Sequence, residues 1–169
     1  MANEPKDPVE ARKKLWDLIE DIEFSMLTTR DGNKLRSRPM VHKEFDERGA
    51  LWFFTHAAAH KTFEVEQEQQ VGLSYAAPNS HHYVSISGRA SIVRDPARVK
   101  RLWSDLDKVW FPDGPDDPEI VFLKVMPEEA EYWDGVGTVG TALAYLRLKL
   151  TDSVPDPGEN QKVRLAASR

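Results

Sequence analysis

The chain has 169 residues, a length that fits one domain with a sizeable hydrophobic core. Its composition is 40% hydrophobic and 30% charged, and its net charge of −5 gives no electrostatic reason to bind nucleic acid or an anionic membrane. Because the chain has no cysteine, disulfides, zinc–thiolate sites, iron–sulfur clusters and cysteine nucleophiles are excluded. The sequence lacks an apolar run of the ~20 residues that a membrane span needs, and its first residues lack the apolar core of a secretory signal. We therefore expect a cytoplasmic protein without nucleic-acid or membrane partners.

The first third of the chain predicts a helix followed by three antiparallel strands. A helix is expected to begin near Asp7 and Pro8, since a capping residue followed by proline is typical of a helix N-terminus. The next three segments are rich in strand-forming residues and are separated by turn sequences, which favours a meander of hairpins. These strands are predicted at 24–29, 34–45 and 51–55.

The remainder predicts further strands with helices between them. A helix that includes the alanines at 57–59 and the run 63–70 is followed by strands at 71–75 and 82–93, and a second helix is expected to begin at Asp95 and Pro96. The apolar spacing of that helix predicts one buried face formed by Val99, Leu102, Trp103 and Leu106. Two short strands at 120–126 and 130–133 and a last helix at 138–150 complete the prediction. The pattern indicates a mainly β fold, a small antiparallel barrel covered by helices, over residues 1–150. The tail, 151–169, is expected to pack on the barrel or to be partly ordered.

The second predicted strand contains a pair of arginines suited to an anion. Strand side chains alternate, so Arg36 and Arg38 share one face and Ser37 and Pro39 share the other. Two arginines on one face form a fork that fits a phosphate or a carboxylate. Pro39 lacks a ladder donor and therefore predicts an edge or an irregularity, where free main-chain groups can meet a planar ligand. The alternative is an exposed strand whose charges prevent association at its edge.

The end of the third strand predicts a second anion-binding element. A strand that leads into a helix start offers free N–H groups, and Thr55 and Lys61 can add a hydroxyl and a point charge there. His60 can contribute a ring N–H. A zinc site formed by His56, His60 and Glu64 is a competing interpretation of the same stretch, but the stretch has no His-Glu-x-x-His motif. A solvated helix start is the third interpretation.

The strand predicted at 82–93 offers a flat surface. Ser85 and Ser87 alternate with apolar residues, and a face of small polar side chains can admit a flat ligand or a second subunit. Gly88 allows another backbone to approach closely. Trp133 ends a later strand as an aromatic plate. No motif of a nucleophilic triad, a phosphate-binding glycine loop or a dinucleotide fold is found, so no catalytic residue is assigned.

Taken together, these segments resemble the pyridoxamine 5′-phosphate oxidase-like flavin-binding split barrels, and in particular their bacterial general stress protein subgroup. The resemblance extends from about Val9 to Leu165. Its motifs, in chain order, are Met26-Leu-Thr-Thr29, Arg36-Ser-Arg-Pro-Met40, Leu51-Trp-Phe-Phe-Thr55 with Lys61 six residues on, Val71-Gly-Leu-Ser-Tyr75, Tyr83-Val-Ser-Ile-Ser-Gly88, Glu131-Tyr-Trp-Asp-Gly135 and the tail segment Gly158-Glu-Asn-Gln-Lys-Val-Arg-Leu165.

The resemblance implies a six-stranded split barrel that forms a homodimer, with FMN at the subunit interface and FAD as the alternative flavin. The isoalloxazine and ribityl chain would lie along Arg36, Ser37, Arg38, Pro39 and Met40. The phosphate would be held by Phe54, Thr55, His60 and Lys61. The partner subunit would close the site from Tyr75, Ser85, Ser87 and Gly88, and Trp133 would cover the ring.

The function that this resemblance implies is an FMN-dependent oxidoreductase. It would act in a stress response on an unknown small molecule that serves as electron donor or acceptor, without a bound metal. The alternative is a stress protein that binds or sequesters flavin without turnover. The true oxidases carry a C-terminal arginine and histidine for pyridoxal phosphate, whereas this chain has no histidine after His82. Vitamin B6 oxidation is therefore not expected.

Overall fold

The computed structural model describes residues 8–134 and 159–165, which form a mainly β fold. The helices are α1 (Pro8–Ile19), α2 (His60–Gln67) and α3 (Pro96–Leu102), with a 3₁₀ helix over Asp105–Val109. The strands are β1 (Phe24–Asp31), β2 (Lys34–Phe45), β3 (Leu51–His56), β4 (Gln70–Ala77), β5 (His82–Val93), β6 (Ile120–Asp134) and β7 (Glu159–Arg164). Across the described ranges, no helix has both the length and the apolar character needed to cross a membrane.

Six of the strands close into an antiparallel barrel. The order along the sheet is β3-β2-β1-β4-β5-β6-β7, and an additional pairing between β3 and the first half of β6 closes the ring. The second half of β6 pairs with β7, so this last strand extends the sheet beyond the closure. The mainly β class and the six-stranded barrel expected from the sequence are confirmed.

The barrel interior is filled by the inward-facing side chains, which alternate along each strand. Leu27, Leu73 and Ile86 are among its fully buried members, and α1 packs Leu15 and Ile19 against the same cluster. A second apolar cluster lies on the other face of β3 and β6, where α3 covers it. Because both faces of β3 are buried, its sequence is a continuous apolar run rather than an alternating one.

The helix predicted from Asp95 ends earlier than its apolar spacing indicates. Asp95 caps α3 by accepting from the N–H of Arg98 at 2.9 Å, as expected, but the backbone turns extended at Trp103. A reciprocal capping box between Ser104 and Asp107 then starts the 3₁₀ helix. Leu106 therefore lies outside α3 with 76% of its surface exposed, and its predicted place on the buried face is wrong.

Other boundaries also differ from the predicted ones. The two short strands predicted at 120–126 and 130–133 are one strand, β6, whose register shifts opposite Ser87 and Gly88 near Pro127. Helix α2 begins at His60, just after the alanines where the predicted helix starts, and ends at Gln67, three residues before the predicted end at residue 70. The helix predicted at 138–150 lies outside the described residues. In the tail, Glu159–Arg164 forms β7 on the barrel, while the boundary at residue 150 stays a prediction.

Candidate functional site

The barrel is split along β2. Residues 34–41 pair with β1, whereas pairing with β3 starts only at His42. On the side away from β1, residues 34–41 face no other strand of the described chain. Pro39 lies in this stretch, so the predicted edge position is confirmed, and main-chain groups from Arg36 to Met40 line the opening.

A tight turn connects β3 to α2 at the mouth of this opening. The carbonyl oxygen of His56 accepts from the N–H of Ala59 and from the hydroxyl of Thr62, both at 3.0 Å. Ala59 precedes the helix, and no side chain caps its first turn. The start of α2 therefore has N–H groups available for an anion, as predicted for a strand-to-helix junction.

Thr55 provides a buried hydroxyl at this junction. It lies on the same face of β3 as Phe53 in the barrel core and is 2% exposed. Its Oγ1 has no hydrogen-bond partner among the residues that the structure describes. A buried hydroxyl in this state costs about 1–3 kcal/mol, which a ligand oxygen would offset.

Lys61 provides a cation that has no counter-ion among the described residues. Its side chain is half-buried in the first turn of α2. Burial, and then the positive charge of Arg38, lower the pKa of the Lys61 ammonium, while the carboxylate of Glu64 partly offsets them. A bound anion would relieve this disfavoured charge.

Glu64 is a buried carboxylate that organises the other basic groups. It is 4% exposed and accepts from the hydroxyl of Thr29, from Arg38 Nη2 at 2.8 Å and from His60 Nδ1 at 2.7 Å. Burial alone would raise the pKa of Glu64, but the hydrogen bonds and the charge of Arg38 outweigh it and lower that pKa. The group is therefore an anion that holds its neighbours in place.

The two arginines of β2 lie on the predicted common face and have different partners. Arg38 also donates to Thr29 Oγ1 at 2.6 Å, so both of its terminal nitrogens are engaged. Arg36 is more exposed, donates from Nε to Asp31 Oδ2 at 2.6 Å and lies 3.8 Å from Glu64. We call Arg36, Arg38, Thr55, His60 and Lys61 the anion cradle.

The zinc interpretation of His56 and His60 is not supported by the structure. The His56 ring packs on Phe111 at a centroid distance of 4.6 Å, and its Nε2 lies 3.3 Å from the carbonyl oxygen of Trp110. His60 instead lies with Glu64 and Asp31, whose oxygen atoms are within 4.8 Å of one another and of its ring nitrogen. Those carboxylates already accept from arginines, so the group is an ion-pair network.

A second set of predicted residues lies on the opposite surface of the sheet. We call this surface the outer face; it is the solvent-exposed side of the strands around β4, and it has large apolar members as well as small polar ones. Its members include Phe24, Met26, Thr28, Ser37, Pro39, Gly72, Ser74, Tyr83, Ser85, Ser87 and Trp133. The outer face thus brings together five of the predicted residues, but apart from the anion cradle: Ser37, Pro39, Ser85, Ser87 and Trp133.

Three further predicted residues have buried side chains. Met40 and Tyr75 belong to the barrel core, and Phe54 packs in the second cluster on the face of β3 opposite Thr55. Their side chains are therefore not available at the cradle or on the outer face. A contact of these residues with a ligand would use the main chain.

The need for a glycine at position 88 is explained by contacts within the same chain. A Cβ atom at this position would lie 2.4 Å from the carbonyl oxygen of Met126 in β6. The close backbone approach predicted from this glycine is confirmed, and the approaching backbone is that of the neighbouring strand at the register shift.

Thr29 was part of a motif but had no predicted role, and Glu64 was predicted only as a zinc ligand. The four-residue spacing of His60 and Glu64 on a helix predicts that the side chains meet, which is the available signal. Thr29 reaches the carboxylate from β1, 35 residues earlier in the chain. Such a contact depends on tertiary pairing and has no local sequence signal.

The chain is similar to proteins with the same motifs. The family described as "Pyridoxamine 5'-phosphate oxidase like" matches residues 10–156. Protein bli-3 of Neurospora crassa is 30% identical in an alignment of 153 residues, and the match covers 77% of this chain and 73% of that protein. A structure named as a general stress protein 26, from Jannaschia sp. CCS1, superposes with a TM-score of 0.77 at 25% identity and covers 92% of this chain and 98% of its own. The general stress FMN/FAD binding protein from Xanthomonas citri gives a TM-score of 0.64 at 28% identity, with 73% of this chain and 88% of its own covered.

Proposed function

We propose that this protein is a flavin-binding general stress protein that holds FMN in the split of its barrel. The starting point is that the chain belongs to the pyridoxamine 5′-phosphate oxidase-like family. The observation that carries the proposal is the combination of a buried hydroxyl, Thr55, and a half-buried cation, Lys61, at the start of α2, neither of which has a partner among the residues that the structure describes. This combination fits a phosphate group. A relative that is named for FMN/FAD binding supports the flavin class, and FAD is the alternative.

In this proposal each part of the chain has a distinct task. Thr55 donates its hydroxyl and Lys61 its ammonium to the phosphate, and His60 adds a ring nitrogen. The main chain from Arg36 to Met40, which pairs with β1 on one side and with no described strand on the other, lies along the planar ring. Arg38 is held by Glu64 and Thr29 and contributes positive field rather than a free donor.

The outer face supports a homodimer that completes the site. Four large apolar side chains are exposed together on it, which is unusual for side chains of this size in a monomer. They are Phe24 (46% exposed), Met26 (42%), Tyr83 (40%) and Trp133 (38%). Small residues such as Ser74 and Ser85 between them allow a flat second subunit to approach. In the dimer, Ser85 and Ser87 of one protomer close the cleft of the other, and Trp133 covers the ring.

When bound, the flavin supplies the electron-transfer chemistry, so the chain itself needs no acid or base of its own. We propose that the protein is an FMN-dependent oxidoreductase with a small-molecule donor or acceptor. The second candidate is flavin binding without turnover; the lack of any histidine after His82 argues only against pyridoxal phosphate as the substrate. Reduction of the bound flavin by NAD(P)H and reoxidation by a panel of acceptors separate the two.

The first experiment is the visible spectrum of the purified protein, with the released cofactor identified by chromatography. FMN and riboflavin are then titrated into the cofactor-free protein. A colourless protein that ignores both ligands overturns the proposal.

The anion cradle is tested by Lys61→Ala. Loss of a charge-assisted hydrogen bond worth about 1.5–3 kcal/mol should weaken FMN about 10- to 100-fold. Riboflavin, which has no phosphate, should bind as before. Lys108→Ala is the matched control, because Lys108 is exposed on the 3₁₀ helix and pairs only with Asp105 among the described residues. Equal weakening of FMN and riboflavin by Lys61→Ala would place Lys61 elsewhere in the site.

A further inference from the structure

His60 has one ring nitrogen bound and the other free. Its Nδ1 lies 2.7 Å from Oε1 of Glu64, and its side chain is 69% exposed at the start of α2. Because the pKa of Glu64 is lowered, this carboxylate is ionised and can only accept, so Nδ1 carries the hydrogen. In the neutral ring, Nε2 then has a lone pair and no hydrogen to donate. Nε2 has no partner within the described part of the chain.

A neutral His60 is a poor partner for a phosphate. A lone pair on Nε2 repels phosphate oxygens, whereas an N–H at the same atom would donate to them. The contact that the anion cradle offers at this position therefore depends on a second proton on the ring. Glu64 would continue to accept from Nδ1 in either state.

The charged groups around His60 determine how a bound ligand changes the protonation of its ring. The charged groups near the ring come from three elements: Asp31 of β1, Arg36 and Arg38 of β2, and Lys61 and Glu64 of α2. They carry three positive and two negative charges. A phosphate monoester brings a charge of about −1.5 to −2 at neutral pH, which turns the surroundings of the ring negative.

We infer that binding of a phosphate monoester draws one proton from solvent onto Nε2 of His60, so that His60 holds the phosphate as an imidazolium backed by Glu64. This inference rests on the proposed function and extends it from the identity of the ligand to its coupling with pH. One N–H bond forms at Nε2, the proton comes from the buffer, and no electrons move. Glu64 acts as a positioning residue, because it fixes which ring nitrogen faces the ligand.

The test is isothermal titration of FMN into the cofactor-free protein at about pH 7.5, in buffers that differ in ionisation enthalpy and contain no phosphate. The dependence of the observed heat on buffer enthalpy gives the number of protons taken up. We expect net proton uptake for FMN and none for riboflavin. Absence of uptake with FMN overturns the inference.

Substitutions test whether His60 is the group that takes up the proton. His60→Gln should abolish the uptake and weaken FMN about tenfold, with riboflavin unchanged. Glu64→Gln keeps the shape but removes the charge, and should reduce the uptake. His82→Gln is the matched control at the start of β5 and should retain it in full. Uptake that persists in His60→Gln would place the proton on the phosphate and overturn the inference. Failure of FMN to bind at all would instead overturn the proposed function.

Discussion

Thr55 and Thr62 are buried threonines on either side of the same turn, and they differ in the state of their hydroxyls. Thr55 is 2% exposed and its hydroxyl has no partner within the described residues, whereas Thr62 is 3% exposed and donates to the His56 carbonyl at 3.0 Å. Replacing a threonine by valine removes only the hydroxyl. Thr55→Val should therefore raise the free energy of unfolding of the cofactor-free protein by about 1 kcal/mol, and Thr62→Val should lower it by a similar amount.

Urea denaturation with and without FMN checks this pair. Thr55→Val should gain stability without FMN and lose most of the extra stabilisation that FMN gives the wild type, since its affinity falls. A Thr55→Val variant that is destabilised without ligand would show that the hydroxyl already has a favourable partner.

His42 couples stability to pH. Its ring packs against Trp16 of α1 at a centroid distance of 5.4 Å and against Tyr75, and its Nδ1 is buried without a partner in the described chain. Burial, and then the charge of Lys43, lower the pKa of His42. The unfolded chain therefore binds the proton more readily, and stability that is present above about pH 6.5 should be lost as the pH falls through that value.

The measurement is the free energy of unfolding between about pH 5 and 7.5 for the wild type and for His42→Phe. The phenylalanine keeps an aromatic ring against Trp16 and Tyr75 and cannot be protonated. We expect a shallower loss of stability at low pH in the variant. Identical slopes for the two proteins would assign the acid sensitivity to other groups.

At the scale of strands, the register shift between β5 and β6 depends on one glycine. A Cβ atom on Gly88 would lie 2.4 Å from the Met126 carbonyl oxygen, while one on Gly72 in β4 would meet its nearest atoms at 3.9 Å. Gly88→Ala should lower the free energy of unfolding by about 1–3 kcal/mol, because backbone at the bulge has to move. Gly72→Ala should leave stability unchanged or raise it slightly. Thermal melts of the two variants test this, and equal melting temperatures would contradict it.

The elements that could be predicted from the sequence are those with local signals. The turn around Gly32 and the proline after Asp95 give the positions of the β1–β2 hairpin and of α3. The end of α3 was predicted wrongly from the helical spacing of Leu106, although the Ser104–Asp107 capping box is a local signal against it; the ion pair of Asp107 with Lys43 at 2.9 Å, which also fixes the backbone path, has no local signal. That ion pair joins residues 64 positions apart.

At the scale of the whole molecule, the residues of the candidate site also fall into those with a local sequence signal and those without one. Thr55 and Lys61 flank one turn, so their cooperation follows from the local order of strand and helix. Glu64 and Thr29 are joined only by the closure of the barrel, and without them the positions of Arg38 and His60 could not be derived. Of the outer face, the sequence predicted mainly the exposed side of β5, from the alternation of its small polar and apolar residues. The full extent of the face depends on which strands become neighbours.

The last prediction concerns the proposed homodimer and its interface on the outer face. Ser74 lies on this face in β4, opposite Met26 in β1 and Ser85 in β5, and is exposed. If a second copy covers the face, a long charged side chain at its centre is forced into the interface, where loss of solvent and crowding are strongly unfavourable. Ser74→Arg should therefore convert the proposed homodimer into monomers, and light scattering after size exclusion measures the mass.

FMN affinity should fall together with the mass, since Ser85 and Ser87 of the second protomer would no longer close the cleft. Leu106→Arg introduces the same side chain at an exposed position on the 3₁₀ helix, away from this face, and should leave both mass and affinity unchanged. A dimer that survives Ser74→Arg would place the subunit interface on another surface. A monomeric variant that binds FMN as tightly as the wild type would show that one protomer, through Thr55 and Lys61 and the open edge of β2, is a complete binding site.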